Sequence, residues 1–246
     1  MSRVAVVTGG ASGLGAAICE QLADDGFLVV VADRDGVAAG TVAGRISGVA
    51  VEVDVRDDAG VRRLVEQAVG LGPLRALVLS AAVETRAPIL ETTDEAWREI
   101  IDTNLKGPFL CLRHAVPAMV EAGGGSVIAL GSTLGMIVAP QYPAYCASKF
   151  GLTNLCKQVA IEHAPDQIRV NVVAPAATEV GLFARVAEAT GDPDGIKAFV
   201  AGNVPMKRLG TAADVTAMVS FLASDASTYL SGAVIPLDGG LAARRM

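Results

Sequence analysis

The chain has 246 residues, of which 52% are hydrophobic and 19% charged, with a formal net charge of -6. That acidic balance, with no run of basic residues, argues against a nucleic-acid partner, whose phosphates require clustered Lys and Arg. No apolar run approaches a membrane span, and the four cysteines (Cys19, Cys111, Cys146, Cys156) lack metal-ligand spacing, so no metal is expected and reduced, buried thiols are.

Without a Pro/Gly/Ser linker or a break in composition, residues 1–246 read as one domain. The apolar fraction exceeds what a lone globule comfortably hides, which points to further burial between subunits. Met1-Ser2-Arg3 leads directly into an apolar run with no h-region or cleavage site, so a cytoplasmic protein is expected.

Short apolar runs alternate with helical patterns. The first, Val4 to Val7, enters Thr8-Gly9-Gly10-Ala11-Ser12-Gly13-Leu14-Gly15 and then a helix. Glycines at 9, 13 and 15 remove side chains where a pyrophosphate would approach, and the helix N-terminus supplies N–H donors. The second run, Phe27 to Ala32, ends at Asp33, eighteen residues past Gly15. A carboxylate there accepts from ribose hydroxyls and repels a 2′-phosphate, favouring NAD over NADP; the neighbouring Arg34 would serve a 2′-phosphate if it turned inward. The third, Val49 to Val53, precedes Asp54, which suits either the adenine amino group or a helix cap.

Leu74 to Leu79 forms the fourth run, followed by Thr92-Thr93-Asp94-Glu95, where Thr92 and Glu95 have capping-box spacing. Ser126 to Leu130 forms the fifth, with Ser132 just beyond it and Tyr145-Cys146-Ala147-Ser148-Lys149 thirteen residues further on. In a helix, i and i+4 share a face, so Lys149 can hold its charge near the Tyr145 phenol. Lowering a phenol from about 10 by three units takes about 4 kcal/mol. A charge at about 4 Å in an effective dielectric of about 20 supplies a similar amount. Ile168 to Val173 and Ala233 to Leu237 complete seven runs. Continuous apolarity implies a parallel sheet covered on both faces, hence a doubly wound α/β fold.

Between 178 and 206 the alternation breaks. Two amphipathic pieces carrying Leu182, Phe183 and Val186, then Ile196, Phe199 and Val200, flank Gly191-Asp192-Pro193-Asp194-Gly195. The segment reads equally as a hinged substrate flap or as a peripheral helical hairpin. His114 and His163 read as surface or packing residues, and Arg244-Arg245 as a frayed tail.

Taken together, the chain resembles the short-chain dehydrogenase/reductase family of the single-domain kind, over nearly its whole length. The likeness rests on Thr8 to Gly15, Asn104 in Asp102-Thr103-Asn104-Leu105, Ser132 and the Tyr145/Lys149 pair. It extends through Arg169-Val170-Asn171, Pro175, Phe221 to Asp225 and Asp238-Gly239-Gly240. The resemblance implies a catalytic tetrad of Asn104, Ser132, Tyr145 and Lys149. Tyr145 would exchange the proton of the substrate oxygen, Ser132 steady that oxygen, Lys149 hold the nicotinamide ribose, and Asn104 hold a water leading to Lys149.

It also implies cofactor contacts at Gly9, Ser12, Gly13, Leu14, Gly15, Asp33 and Arg34. Further contacts would come from Asp54, Val55, Leu79, Ala81, Ala82, Tyr145, Lys149, Pro175 and Thr178. Three positions depart from the family pattern: Leu79-Ser80-Ala81-Ala82 stands for Asn-Asn-Ala-Gly, Ala176 for a glycine, and Val180 for a second threonine. Pocket candidates are Glu84, Met136, Gln141, Tyr142, Leu182 and Phe183, with Phe199 and Met206 from the flap. The expected protein is a homotetrameric NAD(H)-dependent dehydrogenase acting on a small hydrophobic alcohol or ketone. Its rivals are a 3-oxoacyl-thioester reductase and, in another class, a non-catalytic NAD(H)-binding protein.

Overall fold

The computed structural model describes residues 2–243; Arg244 and Arg245 lie outside them. Seven parallel strands run Val4–Thr8 (β1), Leu28–Asp33 (β2), Val49–Glu52 (β3), Leu74–Leu79 (β4), Gly125–Leu130 (β5), Ile168–Pro175 (β6) and Val234–Leu237 (β7). Their order across the sheet is β3-β2-β1-β4-β5-β6-β7. The chain reverses its direction of winding between β1 and β4, and this opens a crevice beyond their carboxyl ends.

Helices Gly13–Asp24 (α1), Gly36–Arg45 (α2), Asp58–Leu71 (α3) and Asp94–Ile101 (α4) follow the first four strands. A π-helical turn, Asp102–Lys106, joins α4 to Gly107–Glu121 (α5). Pro143–Glu162 (α6), Leu182–Glu188 (α7), Pro193–Asn203 (α8) and Ala212–Ala223 (α9) complete the described helices.

Strand residues alternate between two cores. Val4, Val6, Val30 and Ala32 face α3, α5 and α6, whereas Ala5, Val7, Val29 and Val31 face α1, α2 and α9. Both faces are therefore apolar, which is why these strands read as unbroken hydrophobic runs. Each large aliphatic side chain so buried contributes about 1.5–3 kcal/mol. The edge strands depart from this pattern: β3 alternates burial with exposure, and no residue of β7 is fully buried.

The expected capping box at Thr92 is one residue out of place. Thr93 is the N-cap, accepting from Ala96 N at 3.2 Å, while the Thr92 hydroxyl donates back to Pro88 O at 3.0 Å. A full capping box occurs instead at α9, where Thr211 and Asp214 exchange hydrogen bonds of 3.2 and 2.8 Å. All four cysteines are free and buried, and burial pushes the thiols of Cys19, Cys111 and Cys156 up to about 12. No described helix is long and apolar enough to cross a membrane.

Arg169 on β6 ties the sheet to the end of α9, donating to Ser227 Oγ (2.8 Å), Leu222 O (2.9 Å) and Ser224 O (3.2 Å). Replacing it with Met removes these charge-assisted bonds. We expect a loss of about 1–2 kcal/mol, read as a fall in Tm of about 2–8 °C in thermal unfolding.

Candidate active site

A cavity of about 650 Å³ opens at the carboxyl ends of the strands. One wall is the turn between β1 and α1, contributing Gly9, Ser12, Gly13, Leu14 and Gly15. Packing alone demands these glycines: a Cβ on Gly9 would lie 2.7 Å from Ala81 Cα, and one on Gly15 would collide with the Gly9 carbonyl. Ser12 is the N-cap of α1 but makes no side-chain cap bond, so no side chain of its own cap blocks this helix start, whose first residues line the cavity.

Asp33 and Arg34 line the end of the cavity beyond β2. The Asp33 carboxylate is pinned in place, Oδ2 accepting from Ala11 N at 3.0 Å and Oδ1 from Asp35 N at 3.1 Å. Each oxygen retains a second lone pair for a ligand hydroxyl. Asp54 and Val55 also line this end, but Asp54 is gripped by Arg56, with Nε at 2.9–3.0 Å and Nη2 at 2.6 Å. That hydrogen-bonded guanidinium holds the Asp54 carboxyl below its ordinary range. The cap of α3 is Asp57, which accepts from Ala59 N and Gly60 N, so Asp54 does not serve as the cap. Arg56, absent from the sequence expectations, is thus a wall residue whose signal was the Asp-Val-Arg spacing.

At the other end stand Ser132, Tyr145 and Lys149. Ser132 leaves β5 in an extended conformation and caps the short turn Thr133–Gly135, accepting from Leu134 N at 3.1 Å. Tyr145 sits in the first turn of α6, which Pro143 opens, and is 6% exposed. Lys149, one turn on, is 3% exposed and donates to Leu130 O at 2.8 Å.

The expected tuning differs from what this geometry gives. Burial raises the Tyr145 phenol above its ordinary value, Glu84 adds to that rise, and a hydrogen bond with Ser132 opposes it. The same burial lowers Lys149 to about 8. Its Nζ, drawn to the Leu130 carbonyl, lies 5.6 Å from the centre of the phenol ring. The i, i+4 spacing foretold a shared face but not how far burial would offset the charge.

Asn104 does not line the cavity. It is 1% exposed in the π-helical turn, a common setting for functional irregularity. Its Nδ2 donates to Val83 O (2.8 Å) and Ser148 Oγ (3.3 Å), and its Oδ1 accepts from Val83 N (2.9 Å). Ser148 Oγ in turn donates to Tyr145 O at 2.7 Å. Asn104 therefore joins the loop after β4 to the turn carrying Tyr145, a bridge that no sequence spacing reveals.

Five further positions are corrected. Leu79, 3% exposed, pairs in the sheet and points into the core; Ser80, Ala81 and Ala82 form that part of the wall. The Thr8 hydroxyl supports this stretch, donating to Val78 O (3.3 Å) and accepting from Ser80 N (3.2 Å) and Ala81 N (3.4 Å). Met136 is exposed and off the cavity wall. Gln141 is also off it, because its left-handed backbone (φ 70°) turns the side chain to accept from Arg86 at 3.3 Å. Of the flap aromatics, Phe199 is 71% exposed on α8 and does not line the cavity. Met206 borders a second, smaller cavity beside Gly239.

Glu84, Tyr142, Pro175, Thr178, Leu182 and Phe183 do line the main cavity, as does Arg185, which sequence reasoning missed. The histidines lie elsewhere: His114 Nε2 is 2.7 Å from Asp58 Oδ1, and His163 Nδ1 is 2.8 Å from Asp166 Oδ2. Among the described residues no cluster of metal-binding side chains occurs.

Because the Glu84 charge opposes ionisation of Tyr145, Glu84→Gln is expected to lower the phenol pKa. Any activity that needs the ionised phenol should therefore have its rising limb at lower pH in the variant. A pH–rate profile of kcat checks the sign.

The whole arrangement, a glycine turn at a helix start, an acidic residue after β2 and a Ser/Tyr/Lys group across one crevice, suits a dinucleotide and a substrate oxygen. A family profile described as enoyl-(acyl carrier protein) reductase matches residues 9–242. A cis-4-hydroxycyclohexanecarboxylate dehydrogenase of Sinomonas cyclohexanicum is 37% identical, over 98% of this chain and 97% of that protein. The 3-oxoacyl-[acyl-carrier-protein] reductase MabA of Mycobacterium avium is 35% identical, over 98% of this chain and 90% of the relative. The crystal structure of levodione reductase superposes with a TM-score of 0.95 at 27% identity, covering 99% of this chain and 98% of the other. The chain belongs to the short-chain dehydrogenase/reductase family. It is accordingly an oxidoreductase, and its family implies a nicotinamide cofactor.

Proposed function

We propose that this protein is an NAD(H)-dependent dehydrogenase that interconverts a hydrophobic secondary alcohol and its ketone. The observation that carries this reading is the placement of Ser132, Tyr145 and Lys149 in one cavity with the β1–α1 glycine turn and Asp33. Gly9, Ser12, Gly13, Leu14 and Gly15 would hold the pyrophosphate and Asp33 the adenosine ribose. Lys149, Pro175 and Thr178 would hold the nicotinamide end. When bound, the cofactor supplies or accepts the hydride at the substrate carbon.

The protein's own part is proton transfer and shape. Tyr145, held protonated at neutral pH by its burial, donates to the carbonyl oxygen in reduction and takes the proton back in oxidation. Ser132 donates a hydrogen bond to the same oxygen. Asn104 fixes the loop after β4 against the turn that carries Tyr145. Leu182 and Phe183 on α7 give the cavity an apolar side, which supports reading 178–206 as a substrate flap. The cyclohexane ring in the name of the Sinomonas relative supports an alicyclic substrate.

A cytoplasmic homotetramer completes the reading. Association of subunits is supported by the exposed Trp97 on α4 and Phe109 and Val120 on α5, a set of large apolar side chains that a subunit contact would cover. Sedimentation gives the mass that tests it.

The matched profile and the M. avium relative support a second reading, reduction of a 3-oxoacyl thioester on a carrier protein. The net charge of -6 opposes it, since an acidic carrier needs a basic dock. The deciding experiment follows NADH absorbance across alcohols, ketones and a 3-oxoacyl carrier substrate, with NAD and NADP side by side. Turnover of alicyclic alcohols with NAD supports the first reading, and activity confined to the carrier substrate with NADPH overturns it.

For the cofactor, Asp33→Ala is expected to raise the KM for NAD about tenfold or more, as charge-assisted bonds to the ribose are lost. The same change should reduce discrimination against NADP, since the repelling carboxylate is gone. Paired kcat/KM values for the two dinucleotides measure both effects.

A further inference from the structure

Glu84 exchanges no proton in the reading above, although its charge raises the Tyr145 phenol. It lines the same cavity as Ser132, Tyr145, Leu182 and Phe183, is only partly exposed, and has no hydrogen-bond or ion-pair partner among the described residues. Neither of its carboxylate oxygens is fully buried, so they keep contact with water, and a substrate that fills the cavity must replace that water's hydrogen bonds or leave the charge unsatisfied.

The backbone around it is fixed on both sides. Val83, immediately before it, gives both its N–H and its C=O to the Asn104 amide, at 2.9 and 2.8 Å. Just after it, Ala87 N donates to Gln141 O at 3.0 Å, and Arg86 donates to the Gln141 side chain at 3.3 Å while lying 5.3 Å over the Tyr142 ring. Glu84 is thus carried on a clamped loop at the cavity wall. It is close enough to Tyr145 and Tyr142 for its charge to raise both phenols.

The charge around the carboxylate narrows what it can receive. Arg86, Lys149 and Arg185 all act on Glu84, so a cationic amine would enter a field already supplied with positive charge. A second carboxylate set against Glu84 would be repelled by it. A neutral hydroxyl meets neither penalty and offers the donor that the carboxylate lacks.

We infer that Glu84 is a specificity-determining residue that accepts a hydrogen bond from a second hydroxyl of the substrate, so that the preferred substrate is a diol or its hydroxy-ketone rather than a simple secondary alcohol. This rests on the alcohol–ketone reading above and narrows it. Burial, which raises the pKa of Glu84, is consistent with a site shaped for a neutral partner.

The test compares cyclohexanol with cyclohexane-1,2-diol and cyclohexane-1,4-diol in the wild type, Glu84→Gln and Glu84→Leu, with NAD and with NADP. The wild type should oxidise at least one diol with a kcat/KM about tenfold above that of cyclohexanol, as a hydrogen bond to a charged acceptor provides. Glu84→Leu should bring the ratio to about one, mainly through KM. Glu84→Gln, which keeps an acceptor oxygen of the same size without the charge, should lower it severalfold. A wild-type ratio of one or less, with cyclohexanol turned over, overturns this inference and leaves the dehydrogenase reading standing. A diol preference that is unchanged in either variant overturns it as well. No oxidation of any of the three alcohols with either dinucleotide overturns both together.

Discussion

Tyr145→Phe is expected to lower kcat by about 100- to 10,000-fold in both directions, the range a positioned proton donor contributes. The ring is 6% exposed in the first turn of α6, and phenylalanine fills the same space, so thermal unfolding should change little. What disappears is the phenol hydroxyl that hydrogen-bonds with Ser132 on the cavity wall. Dinucleotide affinity, measured by fluorescence titration, should hold within a few-fold, because the glycine turn, Asp33 and Lys149 remain. A variant that retained near-normal kcat would remove Tyr145 from the chemistry.

Gly15→Ala is expected to affect the fold and the cofactor together. Gly15 lies in the first turn of α1, and a methyl there would collide with the Gly9 carbonyl oxygen and sit 2.8 Å from the carbonyl carbon. Backbone cannot yield as a flexible side chain does, so α1 must shift away from the turn after β1. Overpacking of this kind costs about 3 kcal/mol. For a domain of this size that corresponds to a fall in Tm of about 6–12 °C. Because the displaced residues line the cavity, the dissociation constant for NADH should rise at least tenfold. An alanine variant that melted and bound NADH like the wild type would show that the turn has room the structure does not give it.

The sheet was legible because β1, β2, β4, β5 and β6 are buried on both faces, and their residues alternate between two apolar cores rather than between core and solvent. Element ends were less so. Thr92 and Thr93 carry the same hydroxyl, and only the path of the preceding loop decides that Thr92 bonds back to Pro88 while Thr93 caps α4.

In the site, residues on regular elements could be placed from spacing: Ser132 after β5, and Tyr145 and Lys149 on one face of α6. The loops resisted, because a left-handed residue at Gln141 turns its side chain away from the cavity, and no pattern of residue types encodes that. The electrostatics were partly hidden for a related reason. Sequence gives the charge of Lys149 but not its 3% exposure, and burial shifts both Lys149 and Tyr145 against the direction that the bare charge pair implies.

The π-helical turn at Asp102–Lys106 makes one stretch of the chain intolerant of changes in length. Such a turn takes up about one residue more than a standard one, and each residue of a helix rotates its successors by roughly 100°. Deleting a single position there would swing the outward bearing of Phe109 around the axis of α5, or else pull Asn104 off Val83. The outer surface and the loop after β4 are thereby locked to a common phase. A gain or loss of one residue is far better absorbed at the Gly123-Gly124 corner, where both residues have positive φ and no such phase has to be kept.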